Sequence, residues 1–365
     1  MFRYLRAIVL VRVSFSRLGH SPIQVVHQIR DFTSSTSEAR GNFYRPTATR
    51  ETCARNCEQR RRDIDCPQLT YMTPAAPQAL QLGPHELPDL QPLFLHAAEL
   101  IAQADALVVA VGAGMGVDSG LPDFRGTDGF WNEYPALAAA GLEFYRIASP
   151  RSFADNPALA WGFYGHRLAL YRKTVPHDGF RLLQEFAQCV PLGVGVFTSN
   201  VDGQFQKAGF DAKRIHECHG SIHHLQCTKP CCSAIWQADD FEPEVDEVAC
   251  LLRNAPPRCP HCDALARPNV LMFSDVQWED QRAAQQEQAL LTWLRQAERP
   301  VVVEIGAGTA IPSVRHFSHT VLCDHSGRLV RINPTDCTVP SAFDVGLPLG
   351  ALAALQGIAS ALEAL

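Results

Sequence analysis

The stretch that decides the fold reads V-V-A-V-G-A-G-M-G-V-D-S-G-L-P-D-F-R, from Val108 to Arg125. Small and β-branched apolar residues enter it, as in a buried strand. Gly112, Gly114 and Gly116 then fall within five positions. A strand that ends in glycines lets the backbone approach a phosphate, because no Cβ stands in the way. The N–H groups at such a turn suit a pyrophosphate. The glycines alone fit a ligand-free strand-to-helix turn equally well. The polar tail tips the reading, since an apolar strand has no need of Asp123 and Arg125 flanking Phe124.

Length and charge bound the rest. The chain has 365 residues, 46% hydrophobic and 19% charged, which predicts a globular protein of about two domains. A net charge of −6 argues against nucleic-acid binding driven by global charge. No purely apolar run reaches about 18 residues, so no transmembrane helix and no membrane partner are expected. Thirteen cysteines are present. Five of them (Cys227, Cys231, Cys232, Cys259 and Cys262) cluster, which predicts a metal site plus ordinary thiols, not a disulfide framework.

Residues 1–75 are Arg-rich, acid-poor at the start and Ser/Thr-rich later. They read as a disordered or dispensable extension of a cytoplasmic protein, with mitochondrial targeting as the alternative. Globular patterning begins near residue 88. Leu93 to Ala104 has helical spacing, Ala106 to Val111 reads as a strand, and the glycine turn follows. Helix, strand and glycine loop together make a Rossmann-type opening. Residues 130–180 read as helical and aromatic, with Tyr164 and Arg167 at i and i+3 on one face. A second strand, Leu192 to Phe197, ends in Thr198-Ser199-Asn200-Val201-Asp202-Gly203. Polar residues at the carboxyl end of a parallel strand are where such sheets bind ligands, and an Asx turn is the competing reading. Four histidines follow, at 216, 219, 223 and 224.

Cys227-x3-Cys231 and Cys259-x2-Cys262 are two paired-thiol knuckles that can converge tetrahedrally on one structural Zn²⁺. Cys232 fits the loop as well as Cys231. The insert between them, with Glu242, Glu244, Asp246 and Glu247, reads as a solvated acidic loop. The α/β pattern is expected to return from about residue 266, with strands at 268–273, 301–305 and 328–332 and a second glycine loop, Gly306-Ala307-Gly308-Thr309. Strand after strand ends in Gly, Asn or Ser. One open parallel sheet holding a nucleotide along its carboxyl edge explains this.

Taken together, residues 112–125, T-S-N-V-D-G (198–203), C-H-G-S (218–221), the cysteine pairs and the late glycine loop with Asn333 resemble the sirtuin family of NAD-dependent protein deacylases. The resemblance covers about residues 90–350. It implies an α/β fold in which a Rossmann-like parallel-sheet domain (about 88–128, 181–218 and 266–365) carries a helical insertion (about 129–180) and a zinc module (about 219–265). By motif position, Gly112, Ala113 and Gly114 would approach the NAD phosphates. Asp123, Phe124 and Arg125 would cover the nicotinamide ribose. Ser199 would face the ribose, and Asn200 and Asp202 would line the nicotinamide pocket. Gly306, Thr309 and Asn333 would touch the adenosine half.

His219 matches the family's base, which deprotonates a ribose hydroxyl, a task suited to an imidazole. Tyr164 and Arg167 match a pair found in members that remove succinyl or malonyl groups, and a guanidinium with a phenol can hold a carboxylate. The implied function is lysine deacylation of acylated proteins, with release of nicotinamide and O-acyl-ADP-ribose. ADP-ribosyl transfer or NAD hydrolysis is the enzymatic alternative, and a non-catalytic NAD sensor the alternative of another class. Four positions depart from the family pattern. Gly116 replaces Ser, Ser199 replaces Gln, Phe273-Ser274-Asp275 replaces Phe-Gly-Glu, and Gly-Ala-Gly-Thr replaces Gly-Thr-Ser.

Overall fold

The computed structural model describes residues 89–122, 134, 136–137, 141, 143–229 and 231–365. The extension read over residues 1–75 lies outside the described residues, as do Asp123, Phe124 and Arg125.

Helix α1 (Gln91–Ala102) has Pro92 in its first turn, where no helical N–H is lost. Asp89 Oδ1 accepts the Gln91 N–H at 3.0 Å. Phe94, Ala97, Ala98 and Ile101 repeat at three- and four-residue steps and form its buried stripe. Strand β1 (Ala106–Val111) follows and is buried along its whole length. Leu107, Val109 and Val111 enter one core, and Ala106, Val108 and Ala110 enter another. That two-residue alternation between two apolar layers is why the strand reads as an unbroken apolar run.

The chain continues through two short helices, Phe144–Ile147 and Pro150–Asp155, to α2 (Pro157–Lys173), α3 (Gly179–Gln188), β2 (Val194–Thr198) and β3 (Ile215–Glu217). A small module comes next, with β4 (Gly220–Cys227), β5 (Ile235–Gln237), β6 (Val245–Asp246), β7 (Leu251–Leu252) and β8 (Ala266–Val270). The chain returns as α4 (Gln281–Leu294), β9 (Pro300–Ile305), α5 (Ser313–His325), β10 (Arg328–Ile332), β11 (Val345–Leu347) and α6 (Ala351–Glu363).

Six strands form one parallel sheet in the order β11-β10-β9-β1-β2-β3. Helices α1, α3 and α6 pack on one face, and α4 and α5 on the other. The chain leaves β1 toward β2 and β3, then returns on the opposite side as β9. The strand order therefore reverses between β1 and β9, and a crevice opens outside their carboxyl ends, the usual ligand position in such sheets.

The small module is antiparallel, with β5-β4-β8 as one sheet and β6-β7 as another. Two expectations change here. The strand read as the return to the α/β part is β8, and it pairs with β4 in this module. The insert read as a solvated acidic loop is half core. Phe241, Cys250 and Leu252 are buried against α2, while Glu242, Glu244 and Glu247 stay exposed. Gly162 on α2 makes this contact possible, since a Cβ there would stand 2.0 Å from Cys250 O. The acids mask an apolar alternation that only the helix opposite reveals.

Candidate active site

Two glycine loops meet at the crevice. Gly112 donates its N–H to Ile305 O at 3.0 Å, and Gly114 donates to Gly306 O at 3.3 Å. A Cβ on Gly114 would lie 2.6 Å from Gly306 Cα, and Gly306 itself takes φ +59°. Loop-to-loop contact thus accounts for the glycine at 114. A 3-10 turn, Ala113–Ser119, follows and ends on Gly120 at φ +82°.

The turn after β2 is tied to the first of these loops. Ser199 N–H reaches Val111 O at 3.1 Å, and Asn200 Nδ2 donates to Gly112 O at 2.9 Å. Asp202 is buried, and its Oδ1 accepts the Gln204 N–H at 3.0 Å. Burial pushes its carboxyl up to about 6, against the pull of the Gln204 N–H. His223 donates from Nε2 to Asp202 O at 2.9 Å. That contact arises from a bulge in β4, where the pairing with β8 jumps between Ser221 and Leu225.

His219 sits between β3 and β4, half-buried. Its Nε2 lies 3.3 Å from Ser313 Oγ at the start of α5, and its carbonyl accepts the Leu271 N–H at 2.9 Å. Gly220 must follow it, because φ is +78° and a Cβ would stand 2.1 Å from Asn269 O. On the adenosine side, Asn333 Nδ2 donates to Ala307 O at 3.0 Å, so its amide joins the loops after β9 and β10. Thr309 is exposed on the first of these.

Tyr164 and Arg167 are both buried on α2, with the guanidinium carbon 5.9 Å from the Tyr164 ring centre. Arg167 donates to Tyr171 OH from Nε at 3.0 Å and from Nη2 at 2.7 Å. Burial pushes the Tyr164 phenol up to about 12, so it stays a neutral donor.

In the small module, the thiols of Cys227, Cys231, Cys259 and Cys262 all lie within 4.8 Å of one another. The Cys227–Cys262 and Cys231–Cys259 sulfurs are each 3.6 Å apart. A tetrahedral Zn²⁺ with Zn–S of about 2.3 Å has sulfur–sulfur edges of roughly 3.8 Å. The set therefore fits zinc, and Cys231 supplies the thiol that sequence left open between Cys231 and Cys232. Burial raises the Cys259 thiol, but N–H donors from His261 and Cys262 outweigh it and bring it down to about 6. Four thiol ligands leave no open position, so the metal is structural.

The departures from the family pattern have local consequences. Ser274 takes φ +58°, the left-handed region that glycine enters freely. The Asp275 side chain is fully buried in an ion pair with Arg267 at 2.7 Å. Ser313 and Arg315 at the start of α5, and the bulged His223, were not singled out from sequence. Each acts on a partner distant in the chain, which leaves no local spacing to read.

The Sir2 family model matches residues 112–297, half of the chain. The chain belongs to the Sir2 family. An NAD-dependent protein deacylase 1 of Caldanaerobacter subterraneus subsp. tengcongensis is 36% identical to this sirtuin over 177 residues, 48% of this chain and 64% of that protein. The match thus spans just under two thirds of that relative. An NAD-dependent protein deacylase of Pyrococcus furiosus is 29% identical over 238 residues, 65% of this chain and 84% of its own. Among solved structures, a Sir2 homolog–NAD complex is similar with a TM-score of 0.54 and 24% identity, over 73% of this chain and 93% of that one. A mutant Sir2 homologue bound to ADP ribose has a TM-score of 0.55 and 23% identity, over 73% and 96%. Both show the sirtuin fold. Among the described residues, no helix is long and apolar enough to cross a membrane.

Proposed function

We propose that this sirtuin is an NAD-dependent protein lysine deacylase that releases nicotinamide and O-acyl-ADP-ribose. The observation that carries the reading is the grouping of Asn200, Asp202 and His219 at the carboxyl ends of two adjacent strands, beside two touching glycine loops. The deacylase names of the relatives above support it.

NAD bound in the crevice supplies a ribose–nicotinamide bond whose cleavage opens the ribose carbon to the acyl oxygen. The residues fit that ligand. Gly112, Ala113 and Gly114 are assigned to the phosphates by close backbone approach, although the Gly112 and Gly114 N–H groups are given to Ile305 O and Gly306 O. Asn200 is held in one orientation by Gly112 O, and buried Asp202 presents a carboxyl beside it for the nicotinamide amide. Ser199, next to Asn200 in the chain, is assigned to the ribose. His219 is assigned as the proton acceptor for the ribose hydroxyl; its Nε2 lies 3.3 Å from Ser313 Oγ, a contact that the ribose hydroxyl would replace. Gly306, Thr309 and Asn333 take the adenosine half, and Asp123, Phe124 and Arg125, outside the described residues, are assigned to the ribose by motif position alone. Zinc on the four cysteines holds the module in shape.

Tyr164 and Arg167 are assigned to the far end of the acyl group, which favours a succinyl or malonyl carboxylate. In support, the Arg167 guanidinium and the Tyr164 ring lie together on α2, 5.9 Å apart. The partners are acylated lysines of proteins, with no nucleic acid. The four zinc thiols need a reducing compartment, which the cytoplasm provides. Microscopy of the full chain carrying a C-terminal tag distinguishes that location from mitochondria.

The test incubates the full chain with NAD and a panel of acyl-lysine peptides and identifies the products by mass. O-acyl-ADP-ribose is expected, and it should disappear in His219→Ala. Protein-linked or free ADP-ribose as the sole product would establish the transferase or hydrolase reading instead. Binding of NAD with no consumption would leave a sensor.

A further inference from the structure

Strand β9 carries a charge inside the sheet. Glu304 is 1% exposed, and a buried carboxylate must be paired or held neutral. Its neighbour in register on β10, Arg331, pairs with it through Nε at 2.6 Å and Nη2 at 3.3 Å. A second arginine, Arg315 of α5, brings Nε to 4.0 Å from the same carboxylate. Arg315 does more than balance charge. Its Nε and Nη2 donate to Ala307 O at 3.3 Å each, and Nη2 donates to Asp336 O at 2.9 Å. Nη1 pairs with Asp336 Oδ2 at 2.9 Å.

Ala307 lies in the loop after β9, and Asp336 in the loop after β10. One guanidinium therefore spans both, and its rigid spread of donors is what allows it. Asn333 joins the same two loops. Its Nδ2 shares Ala307 O, and its Oδ1 accepts the N–H groups of Thr335 and Asp336 at 3.0 and 3.1 Å. Loops held in their binding shape before the ligand arrives lose less freedom when it binds.

We propose that Arg315, anchored through Glu304, is a positioning residue that staples the β9 and β10 loops together and so sets the affinity for the adenosine half of NAD. It rests on the reading that Gly306, Thr309 and Asn333 meet that half. Arg315 has no part in the chemistry at the ribose.

The test compares Arg315→Met, Arg315→Lys, Asp336→Asn and Asn333→Ala in the full chain. It measures ADP-ribose binding by calorimetry, KM for NAD and for peptide, kcat and melting temperature. Arg315→Met should weaken ADP-ribose and raise KM for NAD by about tenfold, the scale of one lost charge-assisted bond, with kcat and peptide KM within about twofold. Lysine should restore less than half of this, because an ammonium cannot reach all three acceptors. Asp336→Asn keeps the shape of the exposed partner and should show about a threefold loss, which tests the staple even if Arg315→Met folds poorly.

If Asn333→Ala weakens ADP-ribose while Arg315→Met and Asp336→Asn bind normally, the staple is wrong. If Asn333→Ala binds ADP-ribose normally, the adenosine reading beneath it is wrong. Equal losses in kcat, peptide KM and NAD KM for Asp336→Asn would mean a general structural role and overturn the proposal.

Discussion

Two glycines of one turn should respond oppositely to the same added carbon. At Gly114 the new Cβ would lie 2.6 Å from Gly306 Cα, and both sides of that contact are backbone. A comfortable carbon–carbon distance is roughly 3.5 Å, so the loops must separate by about 1 Å. The Gly114 N–H bond to Gly306 O, already 3.3 Å long, breaks with that shift. At Gly116 the new atom would lie 3.1 Å from Leu121 Cδ1, which can rotate away, and 3.2 Å from Leu121 Cβ, which need give by only a few tenths of an ångström.

Gly114→Ala should therefore cost about 1–3 kcal/mol of stability. A displacement of about 1 Å at the crevice should lower kcat/KM for NAD by roughly 100-fold. Gly116→Ser should cost less than about 1 kcal/mol and leave kcat/KM within about threefold. The assay is initial velocity against NAD at saturating acyl-peptide, beside melting curves and zinc content for each variant. Zinc content should not change, since the module lies outside this contact. Wild-type kinetics in Gly114→Ala, or a larger loss in Gly116→Ser, would refute the account of loop contact.

Three further outcomes follow. Cys231→Ser should lose most bound zinc, read by a chromogenic chelator after denaturation, while Cys232→Ser keeps it, because only Cys231 stands in the thiol cluster. Asp202 should erode stability as pH rises. Its folded carboxyl titrates near 6, above the value of about 3.9 in an unfolded chain, so the folded state holds the proton more tightly. The cost is absent below about pH 4, grows up to about pH 6 and reaches roughly 2–3 kcal/mol. Asp202→Asn should flatten that slope in chemical denaturation and raise the melting temperature at neutral pH while lowering turnover. Arg167→Ala should reduce succinyl-peptide kcat/KM by about 100-fold relative to acetyl-peptide. Equal turnover of the two peptides by the wild-type chain, unchanged in the variant, removes Arg167 from acyl recognition.

The parallel sheet was legible because β1 is covered on both faces. Leu107 and Val108 serve opposite cores, so both must be apolar, and the run stands out in the sequence. The cysteine knuckles were legible because spacing along the chain is most of the geometry a metal needs. β8 misled because an apolar run before a polar turn looks alike in either sheet, and its antiparallel partner β4 lies about 40 residues away. The contact of Gly114 with Gly306 joins residues nearly 200 positions apart, so each glycine read as ligand-facing. Arg315 carried no signal in the sequence, because its three acceptors are carbonyls and an acid on other loops.

The pairing of β4 with β8 joins two distant chemistries. Cys227 closes one end of the ladder, opposite Ala266, and Gly220, next to His219, opens the other, opposite Val270. A zinc ion on the four thiols would therefore act as a register pin, fixing the Cys227 end of the β4–β8 ladder, at whose other end His219 lies. A slip of one residue would leave every thiol and imidazole intact and still turn the base away from the crevice. The segment between the knuckles is outside the β4–β8 ladder, and its β5 braces β4 from the other edge.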